Sequence, residues 1–316
     1  MIVTLTINPS LDRTIEVGSL TRGAVIRAAA AHLDPGGKGV NVSRALLANR
    51  VPSCAVVPFG GDEGRRLVTL LSAEGIDMVT VPVTGPTRSN VALAESDGTV
   101  TKVNEPGTAL SAAELDAVAE AVLGAARSAD WVVASGSLPP RVPADLYARL
   151  CRRFARAGIL VAVDTSGPAL TAALPAGPAL VKPNREELAE ATGMAITTLG
   201  DAVEAARRLR AMGARTVLAS LGADGAVLLQ DDGTWYGEGP VSEPRSTVGA
   251  GDAMLAGFLA AGARGEEALA EALAWASAAV ALPGSRMPGP ADIAAVRRDR
   301  IRTSTADPAL PLRPGG

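Results

Sequence analysis

The residues best suited to chemistry form a short motif late in the chain, Gly249-Ala250-Gly251-Asp252, which directly precedes an apolar, helical pattern. Small residues just before a helix let backbone amides converge on an anion, and the helix dipole adds favourable potential. A carboxylate there is either a helix cap or a group that accepts a proton from an attacking hydroxyl. The second interpretation predicts phosphoryl transfer with Asp252 as base. An ordinary aspartate pKa of ~3.9 suffices, because this chemistry needs little activation of the nucleophile.

A second glycine-rich motif, Gly36-Gly37-Lys38-Gly39-Val40-Asn41, also leads into a predicted helix. Its glycines allow a ligand to approach the backbone closely, and Lys38 supplies a compact positive charge. A plain glycine turn before a helix is the alternative interpretation. Neither glycine motif has the G-x-G-x-x-G spacing of a dinucleotide fold, and neither has the order of a P-loop. The sequence therefore argues against both of those nucleotide sites.

Three further polar segments follow predicted strands, and they begin at Ser135, Lys182 and Ser220. In the middle one, Asn184 and Glu187 have the spacing of a capping box, and the same side chains suit a site near a metal and phosphates. Ligands of open α/β sheets bind beyond the carboxyl ends of the strands. We therefore expect the three segments on one rim of the sheet.

Lysine is rare in this chain: three of its 30 Lys and Arg residues are lysines, at positions 38, 102 and 182. A coding bias toward arginine explains the scarcity but not the positions. Lys38 and Lys182 lie in motifs described above, and Lys102 lies in a stretch of alternating polar and apolar residues. We expect all three ammonium groups at phosphate or hydroxyl sites, as compact charges where a guanidinium does not fit.

The elements that position these motifs alternate between short β-branched runs and longer helical patterns. This predicts an α/β fold with βαβ units and a mostly parallel, covered sheet. The predicted strands are residues 2–7, 53–57, 130–134, 159–163, 179–181 and 215–219. The predicted helices are residues 39–49, 62–74, 111–126, 143–157, 199–212, 251–262 and 266–282.

Two stretches, residues 13–17 and 87–103, break this alternation. Asp97-Gly98 separates two alternating runs of the second stretch, which is a hairpin signal. Alternation of polar and apolar residues is typical of a sheet with one solvated face. We interpret the two stretches as a small flap, built from about residues 10–27 and 87–106. An extension of the main sheet at its edge is the alternative.

Composition excludes several classes of protein. The 316 residues are 47% hydrophobic and 20% charged with a net charge of −3, which argues against global disorder and against a basic face for nucleic acid. Cys54 and Cys151 are too few for a disulfide framework and are not spaced as metal ligands. With no targeting or membrane segment, this predicts a cytoplasmic protein. We expect one domain over residues 1–302 and a disordered, proline-rich tail over residues 303–316.

Three motifs, taken in order, resemble the PfkB (ribokinase-like) carbohydrate kinase family: Gly-Gly-Lys-Gly-Val-Asn at 36–41, Lys-Pro-Asn-x-x-Glu at 182–187 and Thr-Val-Gly-Ala-Gly-Asp at 247–252. The resemblance runs from residue 1 to about residue 290. It implies a three-layer αβα fold with a mostly parallel central sheet and a small β-sheet flap. It also implies ATP as phosphoryl donor, Mg²⁺ as cofactor and a sugar substrate, with no nucleic-acid or membrane partner.

The same resemblance implies roles for individual residues. The implied catalytic residues are Asp252, as base, and the anion hole of Gly249, Ala250 and Gly251. The implied substrate contacts are Asp12, Gly37, Lys38, Asn41, Arg88, Asn90, Lys102 and Ser137. The implied nucleotide contacts are Lys182, Asn184, Ser220, Gly222, Gly225 and Gly284. Glu187 is implied to hold Mg²⁺ through water, together with Asn184.

Residues 6–12 and 88–107 look most like members of the family that act on fructose 1-phosphate, with those that act on tagatose 6-phosphate as near relatives. A sugar phosphate needs a cationic clamp away from its reacting hydroxyl, and Arg88 and Lys102 of the flap suit that task. A solvated flap face is the alternative. We expect ATP-dependent phosphorylation of the 6-hydroxyl of fructose 1-phosphate. Tagatose 6-phosphate and fructose 6-phosphate are the alternative substrates.

Two other functional classes fit the sequence less well. A nucleotide-dependent oxidoreductase lacks its fingerprint here, and a catalytically silent sugar-phosphate sensor would have a broken anion hole or no base. Aromatic residues are scarce and absent from the flap strands, which argues against a nucleoside substrate. The single histidine, His32, is expected to have a surface or packing role. Exposed edges of the flap predict a homodimer formed through it.

Overall fold

The computed structural model describes residues 1–240, 244–297, 301–304 and 307–313. Its strands are β1 (Ile2–Thr6), β2 (Ser10–Val17), β3 (Ala30–Gly36), β4 (Ser53–Phe59), β5 (Met78–Pro82), β6 (Arg88–Glu95), β7 (Val100–Asn104), β8 (Trp131–Ser135), β9 (Leu160–Asp164), β10 (Leu180–Val181), β11 (Thr216–Ser220), β12 (Ala226–Gln230), β13 (Gly233–Glu238) and β14 (Arg302–Ser304). Its α-helices are α1 (Lys38–Ala48), α2 (Gly61–Glu74), α3 (Ala112–Ala125), α4 (Leu146–Arg156), α5 (Gly167–Ala173), α6 (Arg185–Thr192), α7 (Leu199–Ala211), α8 (Ala250–Ala260), α9 (Gly265–Val280) and α10 (Pro290–Arg297). Each predicted strand and helix is present, with ends within three residues of the prediction.

The described strands form a ten-stranded sheet in the order β14-β13-β12-β11-β10-β9-β8-β1-β4-β5. Neighbours from β11 through β5 run parallel, whereas β12, β13 and β14 add an antiparallel edge. Both faces of the sheet are covered, because one core cluster holds Phe154 of α4 and Leu209 of α7, and another holds Phe258 of α8 and Leu269 of α9. The predicted three-layer αβα fold with a mostly parallel sheet is confirmed.

The flap is a second sheet of four strands in the order β3-β2-β6-β7. Its predicted Asp-Gly turn is present: Gly98 has a φ of 92°, and Glu95 N donates to Thr99 O at 2.8 Å. The prediction omitted β3, which pairs with β2 along residues 10–16. That strand ends in Pro35-Gly36, two residues that strands usually avoid and that an edge strand tolerates at its end.

The prediction of a disordered tail does not hold for the described part of residues 303–316. Residues 302–304 pair with β13, and Leu312 is 8% exposed. Prolines exclude this segment from a helix or a central strand, but they leave its carbonyls free to accept hydrogen bonds. Residues 305, 306 and 314–316 lie outside the described residues. Within the described chain, no helix is long and apolar enough to cross a membrane.

Candidate active site

The polar motifs meet at the carboxyl ends of the central strands. Helix α1 packs so closely there that a Cβ at Gly39 would lie 2.9 Å from Leu5 O of β1. At the N-terminus of α1, Val40 N donates to the Thr6 hydroxyl at 2.8 Å. Lys38 reaches Asp164 at the end of β9. The N-termini of α1 and α8 thus face the rim on which ligands of open α/β sheets bind.

Asp252, the third residue of α8, is a buried carboxylate held in a fixed position. It is 7% exposed, and its Oδ2 accepts a hydrogen bond from Asn41 Nδ2 at 2.8 Å. Burial, and then the nearby Asp164 carboxylate, raise the pKa of Asp252 to about 6. The sequence does not reveal this shift of the pKa, because it does not show how deeply the side chain is buried. A base whose pKa lies closer to neutral pH is better matched to proton transfer.

The predicted anion hole lies at the start of α8, where Gly249 is the N-cap residue. Gly249 is left-handed at a φ of 78°, and a Cβ there would lie 2.6 Å from the methyl group of Met287. The first intrahelical bond of α8 runs from Ala253 N to Gly249 O at 2.8 Å, so the amides of Gly251 and Asp252 precede it. A Cβ at Gly251 would lie 3.1 Å from Lys182 Nζ. An ammonium group thus adjoins the positive end of a helix dipole, an arrangement that favours an anion.

Asp164 connects two of the three lysines, and the sequence analysis missed it. Its carboxylate is fully buried, 2.8 Å from Lys38 Nζ and 3.3 Å from Lys182 Nζ. Burial alone would raise the pKa of Asp164, but Lys182 and Lys38 outweigh burial and hold it below its ordinary value. The signal was available, because Asp164 ends a predicted strand just as Ser135 and Ser220 do.

The segments predicted to bind the nucleotide lie beside this network and are joined to each other. Asn184 and Glu187 make the predicted capping box, with Glu187 N donating to Asn184 Oδ1 at 2.8 Å and Asn184 N to Glu187 Oε2 at 2.9 Å. Ser220 N donates to Pro183 O at 3.0 Å, which joins the end of β11 to the same segment. The turn that follows has positive φ angles at Gly222 and Gly225.

Gly284 is less directly placed. It lies in the turn before Met287, the residue whose methyl group adjoins Gly249, and space around its own Cα is open. Its φ of 61° lies in the left-handed region that favours glycine. The structure therefore brings the loop that contains Gly284 to the anion hole through Met287 and not through Gly284 itself.

The oxygen donors near α6 fit a magnesium ion that arrives with nucleotide phosphates. The described residues contain no group of three or more His, Cys, Asp or Glu side chains that could hold a metal alone. Glu187 Oε1 lies 3.6 Å from Lys38 Nζ, and the buried Asp164 Oδ2 is paired with Lys182 Nζ at 3.3 Å. Mg²⁺ prefers oxygen ligands, keeps several waters and is usually bound by one or two carboxylates plus phosphates.

On the flap side, Asp12 is the centre of a second polar group. Its Oδ1 accepts hydrogen bonds from Ser10 Oγ at 2.7 Å and from Asn90 Nδ2 at 2.9 Å. A Cβ at Gly36 would overlap the Asp12 carboxylate, so the first glycine of the motif leaves room for this aspartate. Register places Asp12 opposite Asn90, which puts both side chains on one face of the flap.

Arg88 lies on that same face, opposite Ser10. Its guanidinium donates to two carbonyls, through Nε to Asn8 O at 3.3 Å and through Nη1 to Glu105 O at 2.9 Å. Among the described residues no carboxylate lies within ion-pair distance of Arg88, and partial burial lowers its pKa. Lys102, opposite Ala92, shares the face but is exposed. An unpaired, half-buried arginine beside neutral acceptors is suited to an incoming anion.

Asn8 is a second residue that the sequence analysis did not assign. It is 6% exposed, and its Nδ2 donates to Pro106 O at 3.1 Å and to Ser137 Oγ at 3.3 Å. Its own carbonyl holds Arg88. Asn8 therefore ties the predicted substrate residue Ser137 to the base of the flap, and its position directly after β1 was the available signal.

A buried carboxylate beside a helix N-terminus, with Lys38 and Lys182 nearby and a polar flap, is compatible with phosphoryl transfer to a small alcohol. A model of the pfkB family carbohydrate kinases matches residues 6–291. The chain belongs to this family, and it is a kinase whose acceptor is an alcohol group.

Relatives and solved structures agree with that assignment. The chain is 40% identical to a 1-phosphofructokinase of Rhodobacter capsulatus over 94% of this chain and 96% of that protein. It is 36% identical to the ATP-dependent 6-phosphofructokinase isozyme 2 of Escherichia coli over 90% of this chain and 94% of that protein. Its fold matches the phosphofructokinase-2 from Escherichia coli in complex with fructose-6-phosphate, with 33% identity and a TM-score of 0.87. This match covers 93% of this chain and 97% of the other.

Proposed function

We propose that this protein is an ATP-dependent 1-phosphofructokinase. It would transfer the γ-phosphoryl group of ATP to the 6-hydroxyl of fructose 1-phosphate, giving fructose 1,6-bisphosphate and ADP. The observation that carries the proposal is the buried Asp252 carboxylate, held by Asn41 at the N-terminus of α8 with its pKa raised to about 6. The relatives named 1-phosphofructokinase support the choice of sugar phosphate.

In this proposal Asp252 is the general base. Asn41 occupies Oδ2 of the carboxylate, so the other oxygen takes the proton of the sugar hydroxyl. The hydroxyl oxygen bonds to the γ-phosphorus as the bond from that phosphorus to the bridging oxygen breaks, and ADP leaves with the electron pair. The attacking hydroxyl needs little activation in this reaction and its proton can leave late, which suits an aspartate base.

The negative charge of the phosphoryl group is stabilised by groups that are already in place. The amides of Gly251 and Asp252, and the Lys182 ammonium next to Gly251, adjoin the proposed position of that group. Mg²⁺, when bound, would neutralise phosphate charge, with Glu187 and Asn184 holding it through water. Because these groups need no reorganisation, they stabilise the transition state more than solvent would.

The sugar would lie between α1 and the flap. Two of the buried side-chain atoms without a hydrogen-bond partner among the described residues are Asn41 Oδ1 and Asn90 Oδ1. A buried unpartnered acceptor costs free energy, and a sugar hydroxyl supplies the missing donor. Asp12 and Lys38 complete this set, with Gly37 and Ser137 nearby. In the proposal Arg88, with Lys102 on the same face, binds the 1-phosphate.

A second candidate is the reaction on fructose 6-phosphate. It is favoured by one observation, the fold match at 33% identity to an enzyme solved with that sugar. In that case the same Asp252 would act on the 1-hydroxyl and the flap cations on the 6-phosphate. Tagatose 6-phosphate, the third substrate considered, has no support among the similar proteins named above.

We propose a homodimer through the flap and a cytoplasmic location. Val103, on the flap face opposite to Lys102, is 59% exposed, and a second copy would cover it. One similar structure is described as a tetrameric inhibited form of phosphofructokinase-2, so association occurs in such folds. Cys54 and Cys151 are both free and buried, which suits a reducing compartment.

A coupled assay of ADP release across fructose 1-phosphate, fructose 6-phosphate and tagatose 6-phosphate tests the proposal. We expect the highest kcat/KM with fructose 1-phosphate. A higher value with fructose 6-phosphate would replace the proposal by the second candidate, and no turnover with any of the three would reject both.

A further inference from the structure

The C-terminal segment 307–313, called the strap below, caps the N-terminus of α7. Leu199 N donates to Leu310 O at 2.9 Å, and Gly200 N donates to Pro308 O at 3.1 Å. Amides in the first turn of a helix have no partner within the helix, so the strap supplies acceptors that α7 lacks. Pro308 and Pro311 keep this segment out of a regular helix, so its carbonyls remain available as acceptors.

The strap is also fixed at its far end. Leu312 is buried in the core, and its amide donates to Thr197 O at 2.9 Å. The carbonyl of Arg313 accepts a hydrogen bond from Arg185 Nη1 at 2.6 Å. The strap therefore bridges two consecutive helices, α6 and α7, on the nucleotide side of the molecule.

The last described residue, Arg313, contacts the turn formed by residues 222–225. Its amide donates to Asp224 Oδ2 at 2.8 Å, and its Nε lies 3.4 Å from Asp224 Oδ1. The Asp224 side chain is 13% exposed, so this contact is shielded on the side of the turn. The carbonyl of Asp224 accepts a further bond from the Tyr236 hydroxyl at 3.0 Å.

Gly200 provides an independent sign that the strap belongs where it lies. A Cβ at this position would come within 2.7 Å of Pro308 O. Glycine is a poorer helix former than alanine, and Gly200 lies in the first turn of α7 without a positive φ. The absence of a side chain therefore serves the close approach of the strap and not the conformation of the helix.

We propose that the strap positions the turn 222–225 for the nucleotide, with Arg313 as a positioning residue that acts through Asp224. This inference rests on the proposed function, in which that turn contacts ATP. A turn with glycines at both ends has many conformations available, and ordering it on binding would cost entropy. Anchoring Asp224 in advance lowers that cost, so the strap would increase the affinity for ATP without touching the sugar.

Two truncations form a matched pair for the test. A chain that ends at Leu312 loses the whole Arg313 contact and keeps Leu312 in the core, whereas a chain that ends at Arg313 keeps both. We expect the first to raise KM for ATP about three- to tenfold, with kcat and KM for the sugar phosphate unchanged, and the second to match the full chain. Equal KM values for ATP in the two chains would overturn the proposal.

Point variants exclude an effect of the new terminal carboxylate near Asp224. Arg313→Ala and Gly200→Ala should each raise KM for ATP, and Arg313→Lys should restore part of the affinity. Arg264→Ala is the matched control, because Arg264 forms an exposed pair with Asp232 away from the turn. Lower thermal stability with an unchanged KM for ATP would assign the strap a purely structural role and overturn the inference.

Direct titration of each chain with a non-hydrolysable ATP analogue separates this inference from the proposed function. If no ketohexose phosphate is turned over but the analogue binds more weakly to the chain ending at Leu312, the proposed function fails and the strap inference stands. If turnover is observed and both truncated chains bind the analogue equally, the strap inference fails alone.

Discussion

The rim of the central sheet and the flap carry similar polar residues in opposite environments. At the rim, Asp164 and Asp252 are buried, and each is held by a cation or an amide. On the flap, every residue of β7 is exposed, and Arg88 is held by neutral carbonyls alone. The charged groups at the rim therefore already have partners within the protein, whereas those on the flap remain available to bind a ligand.

This difference follows from the cost of burying charge. A buried ion pair is expensive to desolvate, and its members must satisfy each other even before substrate arrives. Exposed groups pay no such penalty and gain little stability from pairing, so they stay available for a ligand. We infer that the rim determines the rate of phosphoryl transfer and the flap determines which sugar phosphate binds.

The largest effect should come from Asp252→Asn at the rim. Loss of the base should lower kcat about 10²–10⁴-fold with a modest change in KM, as measured by steady-state kinetics. Asp292→Asn is a matched control, since Asp292 is also the third residue of a helix, α10, and caps its first turn. Near-normal kcat in Asp252→Asn would remove it from the role of base.

Arg88→Ala should have the next largest effect, and this effect should be on KM for the sugar phosphate and not on kcat. Removing a charge-assisted clamp should raise KM for the sugar phosphate about 10- to 100-fold and leave KM for ATP nearly unchanged. Arg13→Ala provides the control, because its register opposite Val91 places Arg13 on the other face of the flap. Equal rises in both KM values would contradict a flap that selects the sugar phosphate.

The pH dependence of the activity should be determined by Asp252 at the rim and not by the residues of the flap. The pKa of Asp252 is raised to about 6, and the base must be unprotonated to accept a proton. Activity is therefore present above this pH and should fall about tenfold per pH unit below it. A profile of kcat/KM from pH 4.5 to 8 measures the acid limb of the free enzyme, and a flat profile down to pH 4.5 would contradict a base in this environment.

The smallest effects should distinguish the lysines of the two regions. Lys182→Arg places a larger group beside Asp164 and Gly251 in a buried position, and should lower kcat about tenfold. Lys102 stands on an exposed strand, where a guanidinium has room, contrary to the expectation from the sequence. Lys102→Arg should therefore change KM for the sugar phosphate by no more than about twofold. Steady-state kinetics of both variants measures these effects. A larger loss of kcat/KM from Lys102→Arg than from Lys182→Arg would contradict the assignment of the rate to the rim and of sugar-phosphate binding to the flap.

The sequence predicted the elements whose patterns are local. The α/β alternation, the Asp-Gly hairpin and the capping box at Asn184 are visible within a few residues and are confirmed. Strands β12 and β13 were missed, because short apolar runs beside a turn resemble loops until they pair with a neighbour.

What the sequence could not reveal depends on contacts between distant residues. The raised pKa of Asp252 arises from burial and from the carboxylate of Asp164, which lies at the end of β9. The strap was mistaken for a disordered tail, since proline content does not show that Leu199 and Gly200 lie within reach of its carbonyls. Such effects follow from packing and not from local residue patterns.

The most direct test of the proposed reaction is ³¹P NMR of the protein with ATP, Mg²⁺ and fructose 1-phosphate. We expect the 1-phosphate resonance to be retained, a second phosphomonoester to appear at C6 and ADP to form in equal amount. We expect Asp252→Asn to form this product at least about 100-fold more slowly. ADP with inorganic phosphate alone, or product formed equally fast by Asp252→Asn, would contradict transfer to the sugar with Asp252 as base.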